Sequence, residues 1–312
     1  MEPGAAVATP DLSVIIVNWN TRALLGDCLR SLESAAGPVL EIFVVDNGST
    51  DGSLEMVERE HPRVRRIANA ENVGFARANN QALAFATGRY ALLLNSDTRV
   101  APGALACLTR FMDEHPRAGA CGPRLVNPDG TLQPSGRSFP STPAALAALL
   151  PVGASVRAAL ATPLERRDHA REAAVDEVSG AALCLRRAAL GEVGTLDEGF
   201  FLFGEDVDLC WRLRKAGWTV HYVPGAEVTH VWGGSRAAQS ERIRQLNRRA
   251  WVRLMRKHRP GLPAATIGAV TMMLTVAEGL ARALRSRLRG ERDAARSAWR
   301  DLRDQLDGLR AA

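Results

Sequence analysis

Three apolar runs in the first third of the chain each break abruptly into polar residues. Ser13-Val14-Ile15-Ile16-Val17 runs into Asn18-Trp19-Asn20, Phe43-Val44-Val45 into Asp46-Asn47-Gly48-Ser49-Thr50-Asp51-Gly52, and Tyr90-Ala91-Leu92-Leu93-Leu94 into Asn95-Ser96-Asp97-Thr98. Between them the apolar spacing becomes helical, with Leu24, Leu25, Cys28, Leu29 and Leu32 after the first run and Phe75, Ala78, Leu83 and Phe85 before the third. Short strands alternating with helices predict an α/β fold built on a mainly parallel sheet covered on both faces. Ligands bind beyond the carboxyl ends of such strands, so the three polar endings are expected to converge on one rim.

Further along, Pro102 predicts a helix start, with its end near His115-Pro116. From about 123 to 178 seven prolines weaken the pattern, and Asn127-Pro128-Asp129-Gly130 predicts a hairpin turn. Residues 144–161 are rich in alanine and leucine and suggest a short helix, and Arg166 to Glu172 are highly charged. The insertion reads as a mobile loop or as disorder. Regular pattern returns with a strand at Ala181 to Leu185 and a helix from about 205 to 216 whose packed face is Leu209, Leu213 and Ala216. A strand at Thr219 to Val223 follows, and helix is expected from Ser235 to the end.

Charge changes the picture only for the last part. Residues 236–312 hold 18 Arg/Lys against 7 Asp/Glu, a net of +11, which leaves residues 1–235 at −5. Basic character therefore belongs to the tail, where Leu280, Leu284, Leu288, Ala295, Trp299, Leu302, Leu306 and Leu309 follow a helical stripe. Residues 260–277 are uncharged apart from their flanks but are interrupted by Pro260, Gly261, Pro263 and Gly268, which argues against a spanning helix. The expectation is peripheral attachment to an anionic membrane surface, against packing on the chain itself or on another copy; a homo-oligomer stays open and nucleic acid is disfavoured. Five cysteines without a CxxC pair fit a reduced, cytoplasmic protein, on the cytoplasmic face of the membrane, with no zinc site. No GxGxxG follows the first strand, which disfavours a nicotinamide dehydrogenase.

The motifs at the rim, together with Asn72-Val73-Gly74-Phe75-Ala76-Arg77-Ala78-Asn79-Asn80, Val178-Ser179-Gly180-Ala181, Asp197-Glu198-Gly199-Phe200-Phe201, Gly204-Glu205-Asp206-Val207-Asp208-Leu209-Cys210-Trp211-Arg212 and His230-Val231-Trp232-Gly233-Gly234-Ser235, resemble family-two inverting glycosyltransferases of the GT-A fold, and most of all the rhamnosyltransferase branch. The resemblance spans about residues 11 to 260. It implies a GT-A domain at 11–235, split into a nucleotide-sugar-binding half at 11–122 and an acceptor half at 123–235, and residues 1–10, which lack the basic start and apolar run of a signal peptide, read as a disordered tail. A basic helical extension at 236–312 completes the chain.

The resemblance implies an enzyme that moves a sugar, foremost rhamnose from dTDP-rhamnose, onto a polysaccharide or lipid-linked glycan with the help of Mg²⁺ or Mn²⁺. Galactose, N-acetylglucosamine and galactofuranose on UDP stay open as donors, as does a non-catalytic nucleotide-binding scaffold. Asp46 can accept a hydrogen bond from the imide N–H of uracil or thymine, with Asn18, Asn20 and Asn47 lining the nucleoside pocket; the competing reading is a simple turn. Asn95-Ser96-Asp97 offers one carboxylate where many relatives have two, and a divalent ion accepts so few when phosphate and water complete its shell. The resemblance adds His230 as its second ligand and Trp232 in a glycine-rich loop over the diphosphate. Arg77, near a helix start, is a candidate for the diphosphate or ribose. Asp206 is the expected catalytic base and Glu205 an orienting group, with the helix dipole sufficient to account for Asp208. Where relatives commonly carry an aromatic before Ser-Gly-Ala, this chain has Glu177.

Overall fold

The computed structural model describes residues 10–34, 37–139, 169–231 and 240–261, with separate positions between 266 and 303. All of the expected N-terminal tail at 1–10 except Pro10, the helix at 144–161 and the loop from Trp232 to Ser235 lie outside the described residues. The chain divides into two compact units, Met1–Phe139 with Leu164–Ser240, and Pro140–Pro163 with Glu241–Ala312.

In the first unit the strands are β1 (Leu12–Asn18), β2 (Leu40–Asp46), β3 (Arg65–Ala68), β4 (Tyr90–Asn95), β5 (Thr98–Val100), β6 (Ala118–Val126), β7 (Leu132–Gln133), β8 (Gly136–Arg137), β9 (Ala173–Val175), β10 (Glu177–Val178), β11 (Ala182–Arg186) and β12 (Thr219–His230). One sheet runs in the order β3, β2, β1, β4, β11, β6, β12, β5, with β7 beside β6 and β9 beside β12; β8 and β10 form a separate antiparallel pair. β1, β2, β3 and β4 are mutually parallel, whereas β11 enters antiparallel between β4 and β6.

Side chains alternate across this sheet with period two. Val14, Ile16 and Val44 point into a core with α1 (Arg22–Glu33), α2 (Ser53–Glu60) and α4 (Ala104–Glu114). Ile15, Phe43 and Val45 point into a second core with α3 (Phe75–Leu83), α5 (Arg187–Val193) and α6 (Glu205–Lys215). Near-continuous apolar strands are what a sheet buried on both faces requires.

Four local expectations shift. Phe85 lies beyond the end of α3 and is exposed. α4 starts at Ala104, not Pro102, because Gly103 caps it in a left-handed conformation (φ 78°). Ala216 is the C-cap of α6 and exposed, so its packed face is Leu209, Cys210 and Leu213. β12 does not stop at Val223: a register shift between Val223 and Glu227 absorbs Pro224 and Gly225, as bulges do, and the strand runs on to His230. α7 (Ser240–His258), in the second unit from Glu241 on, is followed by helical single positions. Among the described residues no helix is long and apolar enough to cross a membrane.

Candidate active site

The carboxyl ends of β2, β1 and β4 meet in register, Asn18 opposite Asp46. Asn18 Nδ2 donates to Asp46 Oδ1 (2.9 Å) and to Ser49 Oγ (3.1 Å), and Asn18 Oδ1 accepts from Thr21 Oγ1 (2.7 Å). Thr21 has then spent its proton, so in its 2.8 Å contact with Ser96 the Ser96 hydroxyl is the donor. A directional row of buried hydrogen bonds thus joins Ser96 to Asp46 across three strand ends. The backbone N–H of Ser49 donates to Asp46 Oδ2 (2.8 Å), so the Asp46 carboxylate closes a turn, with a second lone pair left on each oxygen.

Asn47 is committed to the neighbouring loop: its Nδ2 reaches Asn72 Oδ1 and the Gly74 carbonyl, both at 3.3 Å, and its Oδ1 accepts from Asn69. Asn20 is exposed, with φ 53°, a conformation asparagine tolerates, and its Oδ1 accepts from the Thr50 N–H (2.8 Å). Arg77 is exposed on the first turn of α3, and among the described residues no hydrogen bond or ion pair holds it. The start of that helix is clamped from the other half of the unit. Phe75 N–H donates to the Phe201 carbonyl (2.7 Å), and Asn80 bonds Leu196 and Glu198. Gly74 is required there, since a Cβ would sit 2.7 Å from the Phe201 oxygen at a φ of +90°.

Beyond β4 the chain reverses through Asn95-Ser96-Asp97 into β5, which pairs with the end of β12 so that Thr98 stands opposite His230. Asp97 Oδ1 and His230 Nε2 are 3.2 Å apart, and Asn95 Nδ2 lies 3.3 Å from the same nitrogen. Two donors at right angles around a cation at ~2.1 Å lie ~3 Å apart, so this pair fits adjacent positions in an octahedral shell. No cluster of three or more His, Cys, Asp or Glu that could hold a metal occurs among the described residues, so phosphate and water would fill the rest of that shell.

The other face of the site starts at Phe203 and Gly204, both with positive φ (69° and 83°), which turn the chain into α6. A phenylalanine in this region is an outlier of the kind that gathers at functional sites. Asp206 follows, its Oδ2 accepting from Gly180 N–H (2.8 Å) and its Oδ1 from Val207 N–H (2.8 Å). The next residue after Gly180 links back to the rim, as Asn95 N–H donates to the Ala181 carbonyl (3.0 Å). Asp206, Asn95 and His230 are thereby joined through one chain of contacts, and the Val231 N–H, donating to the Asp97 carbonyl (2.8 Å), ties Asp97 to the same strand end.

Glu205 is buried beside Asp206, its Oε2 without a partner among the described residues, and burial holds its carboxyl well above the usual range. Glu177 is buried too, with Oε2 likewise unpartnered among those residues. Burial first, and then the Asp206 charge, push it up to about 8 against the pull of Arg137. Asp208 is different in kind: fully buried, it pairs with Arg212 (2.9 Å), whose guanidinium also binds the Val193, Gly194 and Thr195 carbonyls and so ties α5 to α6.

Trp232 lies outside the described residues. The sequence pattern did not single out Thr21, Ser49 or Gln133, whose bonds to Ser96, Asn18 and His230 are long-range. Gln133 in particular gave no signal, although it is buried and bonded to both the ring and the backbone of His230.

Comparison with known proteins agrees with this geometry. Residues 13–193 match the family model "Glycosyl transferase family 2". The chain is 34% identical over 238 residues to the N-acetylglucosaminyl-diphospho-decaprenol L-rhamnosyltransferase of Mycobacterium tuberculosis, covering 71% of this chain and 76% of that one. Among solved structures, a mannosyltransferase from Pyrobaculum calidifontis in complex with GDP-Man and Mn²⁺ has a TM-score of 0.57 at 19% identity, covering 98% of this chain and 83% of that one. S. aureus TarS in complex with UDP-GlcNAc has a TM-score of 0.52 at 15% identity, over 95% and 92%. The fold is thus GT-A-like, and the chain belongs to glycosyl transferase family 2 and is a glycosyltransferase.

Proposed function

We propose that the chain is an inverting, metal-dependent rhamnosyltransferase that uses dTDP-rhamnose and a lipid-linked glycan acceptor. The observation that carries this reading is the 34% identity, over most of both chains, with a relative named as a rhamnosyltransferase acting on a diphosphate-linked lipid.

The residues support a step for each requirement of the transfer. Asp46, oriented by Asn18 and Ser49, accepts the imide N–H of thymine, and Arg77 meets the diphosphate from the start of α3, where cationic side chains and helix N–H groups favour anions. Asp97 and His230 hold Mg²⁺ or Mn²⁺, which when bound supplies positive charge to the leaving diphosphate. Asp206, aimed by the Gly180 N–H, takes the proton from the acceptor hydroxyl. The freed oxygen bonds to the anomeric carbon as the bond to the diphosphate breaks on the opposite side, so the configuration inverts and the electron pair leaves on the diphosphate. Glu205, whose carboxyl burial raises well above the usual range, orients a sugar hydroxyl.

A lipid-linked acceptor fits the tail, where Met273, Leu280, Leu284 and Trp299 are exposed among many arginines, a composition suited to peripheral attachment at an anionic cytoplasmic membrane face. The test is a panel of dTDP- and UDP-sugars with a synthetic N-acetylglucosaminyl-diphospho-lipid acceptor, with and without Mn²⁺. Metal-dependent transfer from dTDP-rhamnose with inverted configuration is expected. Asp206→Asn should lose on the order of 10² to 10⁴ in rate while still binding dTDP. Transfer from a UDP-sugar alone would overturn the donor, and equal turnover by Asp206→Asn would overturn the base.

A further inference from the structure

We propose that Gln133 is a positioning residue that fixes the tautomer and aim of His230, so that the Nε2 lone pair is presented beside Asp97 to a divalent cation. This rests on the reading of Asp97 and His230 as the metal ligands.

The amide of Gln133 can be oriented without ambiguity from its partners. Its Nε2 lies 2.9 Å from the His230 carbonyl, a group that can only accept, so the nitrogen must face that way. Its second N–H goes to Asn127 Oδ1 (2.5 Å). The opposite end of the amide, Oε1, therefore faces the ring of the same histidine, 2.9 Å from Nδ1, and Oε1 can only accept. Nδ1 must carry the proton. In a neutral imidazole that leaves Nε2 as a bare lone pair, and it is Nε2 that stands 3.2 Å from Asp97 Oδ1.

With the ring neutral, two acceptors face each other at this distance and repel, and the Asn95 amide, 3.3 Å from Nε2, offers only a long hydrogen bond in compensation. A cation between them removes the conflict. Metal-binding histidines characteristically donate their other ring N–H to a neighbouring acceptor, which sets the tautomer and ring direction.

The local fold reads as a device for delivering this one amide. The turn closed by Gly130 N–H to the Asn127 carbonyl (2.9 Å) and Asn127 N–H to the Thr131 carbonyl (2.8 Å) lays β7 antiparallel on β6, with Gln133 opposite Leu125. Leu125 in turn stands beside Val228 of β12, two residues before His230. Gln133 grips both the backbone and the ring of His230, so a ring flip would break the Nδ1 bond while the carbonyl bond held the amide in place. Among the described residues no other side chain bonds Nδ1.

The test begins with the unaltered, full-length, metal-free protein at mildly alkaline pH. Nitrogen-edited NMR of the imidazoles, with the His230 signal assigned by its disappearance in His230→Ala, is expected to show Nδ1–H and a bare Nε2. Mn²⁺ is then titrated in the presence of saturating dTDP. Gln133→Leu should shift the ring toward the Nε2–H form and weaken Mn²⁺ by roughly 10- to 100-fold, while dTDP binding without metal is unchanged. Gln133→Glu keeps an acceptor at Nδ1 but sets its other oxygen against the His230 carbonyl and Asn127 Oδ1, so it should preserve the Nδ1–H form while restoring the affinity only in part. An Nε2–H ring in the unaltered protein, or unchanged tautomer and Mn²⁺ affinity in Gln133→Leu, overturns the proposal by itself. If His230→Ala binds Mn²⁺ as the unaltered protein does, the metal reading fails, and the proposal with it, even where the tautomer is as expected.

Discussion

Replacing Glu177 by glutamine should remove a loss of stability that the protein suffers as pH rises. Glu177 is buried with an unpartnered Oε2 among the described residues, and the charged groups that act on it are Asp206 and Asp176, which oppose its ionisation, and Arg137, which favours it. Burial dominates and lifts the carboxyl from 4.5 to about 8. A group that binds its proton more tightly when folded stabilises the fold fully below its unfolded value of 4.5, and that contribution is lost as pH climbs through about 8. A shift of this size amounts to something on the order of 5 kcal/mol, comparable with the whole stability of many domains. Glu205 pushes the same way, but it is present in both proteins, so the difference between them isolates Glu177. Urea denaturation of the two proteins from about pH 5 to about pH 9 measures it. The Glu177→Gln variant, which stays neutral, should gain several kcal/mol on the original protein across that range. Curves that remain parallel would refute the reasoning, since they would mean that Glu177 ionises in the folded state without cost.

Three further outcomes are open to measurement. Gly180→Ala places a Cβ 3.1 Å from Asp206 Oδ2 and 3.3 Å from Asp206 Cβ, so kcat should fall while dTDP binding by calorimetry is unchanged; an unaltered kcat would count against Asp206 as the proposed base. Asp46→Ala should weaken dTDP binding with or without Mn²⁺, whereas Asp97→Ala should weaken only the Mn²⁺-dependent part, and identical calorimetric profiles for the two would remove the division of labour between them. Anionic vesicles should pull down the protein better at low salt than at high salt, and Leu280→Asp with Leu284→Asp should reduce this at both; salt-independent, unchanged cosedimentation would dismiss the tail as a membrane contact.

The sequence by itself determined the sheet and its rim, because that information is local. Apolar runs such as Ser13 to Val17 and Tyr90 to Leu94 can only be buried as strands between helices, and the polar residues that end them must then share one edge. The resemblance was likewise legible in linear motifs, and the family that it named is the family to which the chain belongs. Local signals also misled where the ambiguity was local: Pro102 marks a helix start less sharply than the left-handed Gly103, and Pro224-Gly225 looks like a stop until the bulge carries β12 past it. What only tertiary structure decided is which polar groups meet. His230 joins Asp97 through the pairing of β12 with β5, Asp206 is aimed by a backbone N–H 26 residues away, and Gln133 reaches His230 across 97 residues. Buried polar groups must find partners wherever the fold brings them together, and sequence spacing carries no record of such pairings. Glu177 makes the same point from the other side: its position in the chain shows a departure from an aromatic, but only its burial beside Asp206 turns that departure into a carboxyl pushed up to about 8 next to the candidate base.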